Sequence, residues 1–112
     1  MTPRRGEVWL VDFGEPVGHE QSGSRPAVVV SSDLLHDSRA GVVIVVPLTT
    51  TCRGLPSHVE IDRGESGLDD VSYAKCEDVK SISEQRLAGR LGVASDEALF
   101  QMTRALHFLL DF

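Results

Sequence analysis

Short apolar runs and alternating apolar and polar positions occupy most of the chain, and both patterns predict β-strands. Residues 7–13 alternate with a period of two and carry β-branched and aromatic side chains, which favour a strand. Residues 27–30 and 42–48 are almost continuously apolar, as in strands that are buried on both faces. The predicted strands are residues 7–13, 25–32, 42–48, 57–61, 71–82 and 88–93.

The C-terminal segment instead has the spacing of a helix. Ser95 is a suitable N-cap, and Asp96 and Glu97 in the first turn complement the helix dipole. Apolar residues then recur at helical intervals, at Ala98, Leu99, Met102, Ala105, Leu106, Leu109 and Leu110. The pattern predicts a helix that faces the core and includes a partly buried His107.

These elements predict a mainly β domain of the α+β class. Several short strands joined in sequence, followed by one helix, favour a small twisted antiparallel sheet that curls into a partly open barrel. The helix is expected to pack against that barrel. Short helical turns are predicted at residues 33–35 and 84–87. A chain of 112 residues supports a single core, so residues 1–112 are expected to form one domain.

The composition restricts the classes of function. Apolar residues make up 41% of the chain and charged residues 25%, as in an ordinary soluble protein. The apolar runs fall far short of the ~20 residues that span a bilayer, and the N-terminus lacks the apolar segment of a signal peptide. We therefore expect a cytoplasmic protein with no membrane partner. The formal net charge of -6 opposes general nucleic-acid affinity, so any RNA-binding function requires a local basic cleft.

Neither a metal site nor a disulfide framework is indicated by the sequence. Cys52 and Cys76 do not form a C-x-x-C pair, so two reduced cysteines are expected. The histidines are not paired at the i, i+3 or i, i+4 spacing of a metal site on a helix, and no glycine-rich phosphate-binding motif is present. The sequence therefore predicts no metal and no cofactor.

Two other constellations remain open as alternative catalytic sites. His19 and His58 both lie near predicted loops, and a nuclease that uses two histidines needs one as base and one as acid. The neighbouring carboxylates Asp69 with Asp70, or Glu77 with Asp78, would be candidates to bind Mg²⁺. Solvated carboxylates are the simpler interpretation of both acidic pairs.

A polar loop at residues 14–24 ends immediately before Arg25, where a buried strand begins. Pro26 disfavours the helical conformation at Arg25 and suits the first position of a strand. The loop is longer than the usual hairpin connection, and long loops in compact domains are often functional. The sequence therefore predicts one guanidinium fixed at the start of a rigid strand beneath a loop.

Three threonines, Thr49 to Thr51, follow the predicted strand at residues 42–48. Their hydroxyls are suited to bind phosphate oxygens, although β-branched residues also simply end strands. In an antiparallel pair of consecutive strands, the start of one lies beside the end of the next. Arg25 and Thr49 are therefore expected to be neighbours.

Several segments together resemble the MazF/PemK family of toxin endoribonucleases. Residues 5–13 read Arg-Gly-Glu-Val-Trp-Leu-Val-Asp-Phe, and residues 18–30 read Gly-His-Glu-Gln-Ser-Gly-Ser-Arg-Pro-Ala-Val-Val-Val. The similarity continues through Val-Pro-Leu-Thr-Thr at 46–50, Leu-Pro-Ser-His-Val-Glu-Ile at 55–61 and Val-Lys-Ser-Ile at 79–82. It extends in order over nearly the whole chain, which makes it more specific than any short motif.

The resemblance implies a CcdB-like barrel related to the SH3 topology, a homodimer, and metal-independent cleavage of single-stranded RNA at short sequences. It also implies a cognate antitoxin whose flexible segment lies across the active groove. By the same pattern, Arg25 and Thr49 match the catalytic pair of the family. The resemblance leads us to expect a serine at position 19, where this chain has a histidine. The loop therefore contains a side chain that can titrate.

The implied reaction is attack of a 2′-OH on the adjacent phosphorus, which leaves a 2′,3′-cyclic phosphate and a 5′-OH. Arg25 is expected to grip phosphate oxygens in bidentate fashion and to stabilise their growing negative charge. Thr49 is expected to position the phosphate through its hydroxyl. A guanidinium stays protonated at neutral pH, so proton transfer remains open among Arg25, Glu20 and His19.

Further substrate contacts are predicted in two segments. His19, Glu20, Gln21 and Ser24 lie in the loop before the predicted strand at residues 25–32, and Thr50 and Arg53 lie in the segment after the predicted strand at residues 42–48. Among them Gln21, Thr50 and Arg53 are the candidates for reading unpaired bases, which specific RNA-binding proteins usually target. The alternative class is a non-catalytic toxin with the same barrel that inhibits gyrase by protein contact, because a fold does not fix a function. The pairing of Arg25 with Thr49 favours the nuclease.

Overall fold

The computed structural model describes residues 2–14 and 23–112, which form seven strands and two α-helices. The elements are β1 (Glu7–Asp12), β2 (Ser24–Val29), α1 (Asp33–His36), β3 (Val42–Thr49), β4 (His58–Ile61), β5 (Ser72–Lys75), β6 (Lys80–Ser83), β7 (Leu87–Val93) and α2 (Asp96–Leu110). Two 3₁₀ turns, Cys76–Asp78 and Glu84–Arg86, precede β6 and β7. The mainly β character and the C-terminal helix predicted from the sequence are confirmed.

The strands pair antiparallel in the order β4-β5-β3-β2-β1-β7, and β6 pairs with β3 beside β5. The path begins at β4 and ends at β7, so the sheet is not closed, as predicted for a partly open barrel. Residues 15–22, which connect β1 to β2 and carry the predicted contacts His19, Glu20 and Gln21, lie outside the described residues.

Two apolar clusters occupy opposite faces of the central strands. The first core, which lies beneath α2, consists of Val8, Val28, Val46, Leu48, Val59, Ile61, Ala74, Cys76, Ala98 and Met102. The second core consists of Trp9, Val11, Phe13, Ala27, Val29, Val43, Val45 and Ile82. Successive residues of a strand point to opposite faces. The apolar runs in β2 and β3 are therefore continuous because both of their faces are buried.

The single strand predicted at residues 71–82 is wrong, since the 3₁₀ turn Cys76–Asp78 divides it into β5 and β6. Both halves pair with β3, but Leu48 lies opposite Ala74 whereas Val45 lies opposite Lys80. The pairing has shifted by three residues, which are the three residues of the turn. The turn places Cys76 in the first core.

The helix α2 begins as predicted, with the Ser95 hydroxyl accepting a hydrogen bond from the Ala98 amide at 3.1 Å. Ala98 and Met102 are buried in the first core, but Leu110 near the end of the helix is 49% exposed. His107 is exposed, so its predicted partial burial is wrong. The helix contacts β4 and the turn at residues 76–78. Within residues 2–14 and 23–112, no helix combines the length and apolarity needed to cross a membrane.

Candidate active site

Arg25 and Thr49 are brought together by the pairing of β2 with β3. Ala27 lies opposite Pro47 and Val29 opposite Val45, in an antiparallel register. Each step of two residues outward along β2 matches a step of two residues along β3. Continuing this register by one such step would set Arg25 of β2 opposite Thr49 of β3, which is where the sequence leads us to expect them. Arg25 is exposed and Thr49 is half-buried.

The base of the β1–β2 connection holds Arg25 at the start of a rigid strand. The amide of Phe13 donates to the carbonyl of Gly23 at 2.9 Å, and the amide of Gly23 donates to the carbonyl of Gly14 at 2.9 Å. Gly14 and Gly23 have φ values of 75° and 68°, a conformation that glycine adopts without steric cost. Arg25 is thus two residues from the closed base of the loop, and it pairs with Val11 of β1.

The segment that follows β3 begins with a local turn at Thr49. Its Oγ1 accepts a hydrogen bond from the amide of Thr51 at 3.2 Å. A hydroxyl that accepts one bond still has its own proton to donate, so Thr49 keeps a donor for a phosphate oxygen. Thr50 and Arg53 are exposed in the same segment, and Ser24 is exposed at the start of β2 opposite Asp12.

The structure adds two residues to this surface that sequence reasoning missed. Thr49 lies opposite Tyr73 of β5, and Tyr73 lies opposite Glu60 of β4. On the other face of the same strands, Leu48, Ala74 and Val59 are buried in the first core. Thr49, Tyr73 and Glu60 therefore form a row across three strands, on the face opposite that core, and the continued β2–β3 register adds Arg25 to its end. We call it the cross-strand row.

Cys52 ties the segment after β3 to this row. A hydrogen bond with the Cys52 thiol raises the pKa of the Tyr73 phenol, with smaller contributions from desolvation and from the charges of Cys52 and Glu60. Both cysteines are free thiols, Cys52 exposed and Cys76 buried. Burial, together with the Glu77 carboxylate, raises the pKa of the Cys76 thiol to about 11. Cys76 is accordingly an inert core residue, whereas Cys52 is an exposed thiol beside the cross-strand row.

A family profile described as the PemK-like, MazF-like toxin of type II toxin-antitoxin systems matches residues 4–110. The chain belongs to this family. The match covers β1 to α2, and therefore both strands that carry Arg25 and Thr49.

Several relatives of this MazF-like chain are named endoribonucleases. It is 36% identical to "Endoribonuclease MazF9" of Mycobacterium tuberculosis, over 96% of each chain. It is 32% identical to "Endoribonuclease EndoA" of Bacillus subtilis, over 100% of each chain.

Solved MazF structures share the fold. The crystal structure of MazF from Deinococcus radiodurans superposes with a TM-score of 0.84 at 26% identity, over 100% of this chain and 99% of the other. A MazE–MazF crystal structure from the same organism gives a TM-score of 0.82 at 26% identity, over 100% of this chain and 98% of the other.

His58, which the sequence offers as half of a two-histidine nuclease, is engaged in a structural hydrogen bond with Glu77 in this MazF-like fold. Its Nε2 lies 2.9 Å from Oε2 of Glu77, and its side chain is only 3% exposed. Burial opposes ionisation of Glu77, but hydrogen bonds from His58 and Ser57 outweigh it and keep the pKa of this carboxyl below its ordinary value. The pair fastens β4 to the 3₁₀ turn. His19, the proposed partner, lies outside the described residues.

The contacts of Glu77 and Asp78 do not support the second alternative, which is a Mg²⁺ site at neighbouring carboxylates. Glu77 is engaged by His58, and Asp78 lies 2.9 Å from the ammonium group of Lys75. In the part of the chain that the structure describes, no three His, Cys, Asp or Glu side chains are grouped so that they could hold a metal ion.

A buried Ser31–His36–Asp33 cluster resembles a hydrolase triad but serves the fold. Ser31 Oγ lies 2.5 Å from His36 Nε2, and His36 Nδ1 lies 3.3 Å from Asp33. Ser31 is only 5% exposed, and its hydroxyl also accepts from the Ile44 amide at 3.0 Å. A substrate cannot reach this hydroxyl. The cluster instead fixes α1 against β3, at the end of β2 opposite Arg25.

Proposed function

We propose that this chain is the toxin of a type II toxin–antitoxin system and cleaves single-stranded RNA with Arg25 and Thr49 in its active site. The observation that carries the proposal is the β2–β3 register, from which we infer that the exposed guanidinium of Arg25 lies beside the Thr49 hydroxyl, in a chain whose relatives are named endoribonucleases. The named activity of those relatives also favours a nuclease over a toxin that acts only by binding gyrase.

The proposed reaction is an internal transesterification. The 2′-oxygen of the RNA forms a bond to the adjacent phosphorus, and the bond from phosphorus to the 5′-oxygen breaks. One proton leaves the 2′-OH and one is delivered to the 5′-oxygen, so the products carry a 2′,3′-cyclic phosphate and a 5′-OH. Negative charge grows on the non-bridging oxygens in the transition state. A planar guanidinium at Arg25 stabilises that charge, and the Thr49 hydroxyl orients the phosphate.

Ser24 is adjacent to Arg25 in the chain, and Thr50 and Arg53 follow Thr49, and we propose that these three exposed residues also contact the RNA. Arg53 supplies a second cation for the phosphate backbone, which matters because the protein as a whole is acidic, with a net charge of -6. Gln21, together with His19 and Glu20, is proposed to contact the RNA from the loop between β1 and β2. Thr50, Arg53 and Gln21 are the proposed base contacts.

Replacing His19 by serine tests whether this residue transfers a proton. If it does, the wild-type cleavage rate titrates near about pH 6–7, and His19→Ser flattens that dependence. The measurement is the pH profile of the rate at saturating RNA for both proteins. An unchanged profile assigns the proton transfers to Glu20 or Arg25 instead.

Cleavage in the presence of excess EDTA tests the metal-free mechanism. We expect purified protein to cut RNA at an undiminished rate, because the nucleophile is the substrate's own 2′-OH and the charge is stabilised by Arg25. Loss of cleavage on chelation that Mg²⁺ restores would refute the mechanism. No cleavage under any condition would instead support the gyrase-binding alternative.

The proposed partner is a cognate antitoxin, which would share the cytoplasm with the toxin and its RNA. Two solved complexes support this pairing. One is titled "Endoribonuclease in complex with its cognate antitoxin from Mycobacterial species" and shares the fold, with a TM-score of 0.82 at 24% identity over 98% of this chain and 96% of the other. The other is the MazE–MazF complex from Deinococcus radiodurans.

A homodimer is expected because the single chain leaves large apolar side chains exposed. Phe100 is 59% exposed, and Phe108 and Phe112 are each 83% exposed. Large apolar side chains left exposed in this way are available for burial by a two-fold partner. Light scattering at micromolar concentration is expected to give twice the mass of the 12.2 kDa chain. A monomer under those conditions would contradict the expectation.

A further inference from the structure

The cross-strand row extends beyond the proposed catalytic pair. Adjacent strands lie ~4.8 Å apart, so Tyr73 begins about 5 Å from Thr49 and Glu60 about 10 Å from it. Both residues are on the face that carries Arg25 and Thr49, since their strand neighbours Ala74 and Val59 are buried on the other face. A nucleotide whose phosphate rests between Arg25 and Thr49 therefore has these two side chains within reach of its base or of the next one.

Tyr73 is the only tyrosine in the chain, and it is half-buried. Tyr73 is fixed on β5 between Thr49 of β3 and Glu60 of β4, so its ring lies on the face that carries both of them. Aromatic rings are the platforms on which proteins stack unpaired bases, and a fixed ring loses little entropy on binding. Glu60 lies directly opposite Tyr73 on the neighbouring strand, so the carboxylate and the ring share one surface.

Glu60 is exposed at the far end of the row. A carboxylate only accepts hydrogen bonds, so it suits an amino group on a base edge and repels a phosphate. Arg25 attracts the phosphate at the other end of the row. The charges thus orient the substrate, with its phosphate toward β2 and its base toward β4.

We propose that Tyr73 and Glu60 form a nucleobase subsite beside the scissile phosphate, in which the ring stacks on a base and the carboxylate accepts a hydrogen bond from that base's amino group. This inference rests on the proposed ribonuclease function and adds the part of the site that determines sequence preference. Bases with an exocyclic amino group, which are cytosine, adenine and guanine, fit this subsite better than uracil.

The test compares cleavage maps of one long RNA, obtained in EDTA by sequencing the 5′-OH ends. The variants are Tyr73→Leu, Tyr73→Phe and Glu60→Gln, with Glu65→Gln as the control for loss of an exposed carboxylate elsewhere. We expect Tyr73→Leu to slow cleavage on the order of 10- to 100-fold and Tyr73→Phe to restore most of it, because the ring supplies the stacking. Glu60→Gln is expected to shift the base preference at one position next to the cut on the order of tenfold.

Several outcomes would overturn the subsite. Tyr73→Phe as slow as Tyr73→Leu would mean that the phenol hydroxyl is required and that stacking by the ring is not the contribution of Tyr73. A cleavage map for Glu60→Gln that matches wild type and Glu65→Gln would remove the carboxylate from base recognition. Thermal unfolding of each variant shows whether slow cleavage merely reflects lost structure. If the wild-type protein fails to cleave RNA at all, the proposed function falls, whereas normal cleavage by every variant removes only the subsite.

Discussion

Replacing Arg25 by lysine is expected to slow RNA cleavage about 10²–10³-fold, although the charge is kept. Lysine presents a compact ammonium group, whereas arginine presents a planar fork that binds two phosphate oxygens at once. Arg25 is exposed, so the free energy of unfolding is expected to change by less than about 0.5 kcal/mol. The measurements are single-turnover cleavage rates and thermal unfolding of the same preparations.

The matched control for this prediction is Arg39→Lys. Arg39 is exposed in the connection between β2 and β3, at the end of those strands opposite Arg25. Its replacement is expected to leave the cleavage rate unchanged. Near wild-type cleavage by Arg25→Lys would contradict the assignment of Arg25.

The hydroxyl of Thr49 is tested by a pair of substitutions. Thr49→Val keeps the shape of the side chain and is expected to lose rate, whereas Thr49→Ser keeps the hydroxyl and is expected to retain most of it. The serine variant also preserves the acceptor for the Thr51 amide. Equal loss in both variants would assign Thr49 a packing role. If Arg25→Lys and Thr49→Val both cleave normally, the proposed pair is wrong.

Gly92→Ala is expected to lower the free energy of unfolding by about 3 kcal/mol, because the added methyl group has no room. A Cβ at residue 92 would overlap the backbone of Glu65 and Ser66, which cannot move aside as a flexible side chain can. The amide of Val93 donates to the carbonyl of Glu65 at 2.8 Å, so the two segments are held together at this point. In a domain of this size the melting temperature is expected to fall on the order of 10 °C.

Gly89→Ala is the control in the same strand. A Cβ at Gly89 meets no atom within 4 Å, so its replacement is expected to change stability by less than about 0.5 kcal/mol. Equal destabilisation by the two alanine variants would mean that the backbone of β7 depends on the conformational freedom of glycine at both positions. The close approach of residue 92 to Glu65 would then not explain the effect of Gly92→Ala.

The sequence predicts β1 to β3 well because their signals are local. Alternation in β1 and the apolar runs in β2 and β3 lie within single segments, and Pro26 marks where β2 can start. The neighbourhood of Arg25 and Thr49 follows from strand order alone, since consecutive strands pair antiparallel here. These features require no knowledge of distant contacts.

The parts of the fold that the sequence does not predict depend on pairing between strands that are far apart in the sequence. The 3₁₀ turn Cys76–Asp78 interrupts a pattern that looks continuous, and it becomes visible only as a three-residue offset of β5 and β6 against β3. Tyr73 is easy to place on a strand, but its position beside Thr49 requires the non-consecutive pairing of β3 with β5. Periodicity also cannot show that the side chains at the end of α2, including His107, remain exposed.

The central claim is that the 2′-OH of the RNA is the nucleophile at a site formed by Arg25 and Thr49. Mass spectrometry of the fragments from one long RNA, cut by the wild-type protein in EDTA, tests it most directly. We predict that every cut leaves a 2′,3′-cyclic phosphate on one fragment and a 5′-OH on the other, and that Arg25→Lys yields the same ends more slowly. Fragments with a 3′-OH and a 5′-phosphate would show that water is the nucleophile and would contradict the claim.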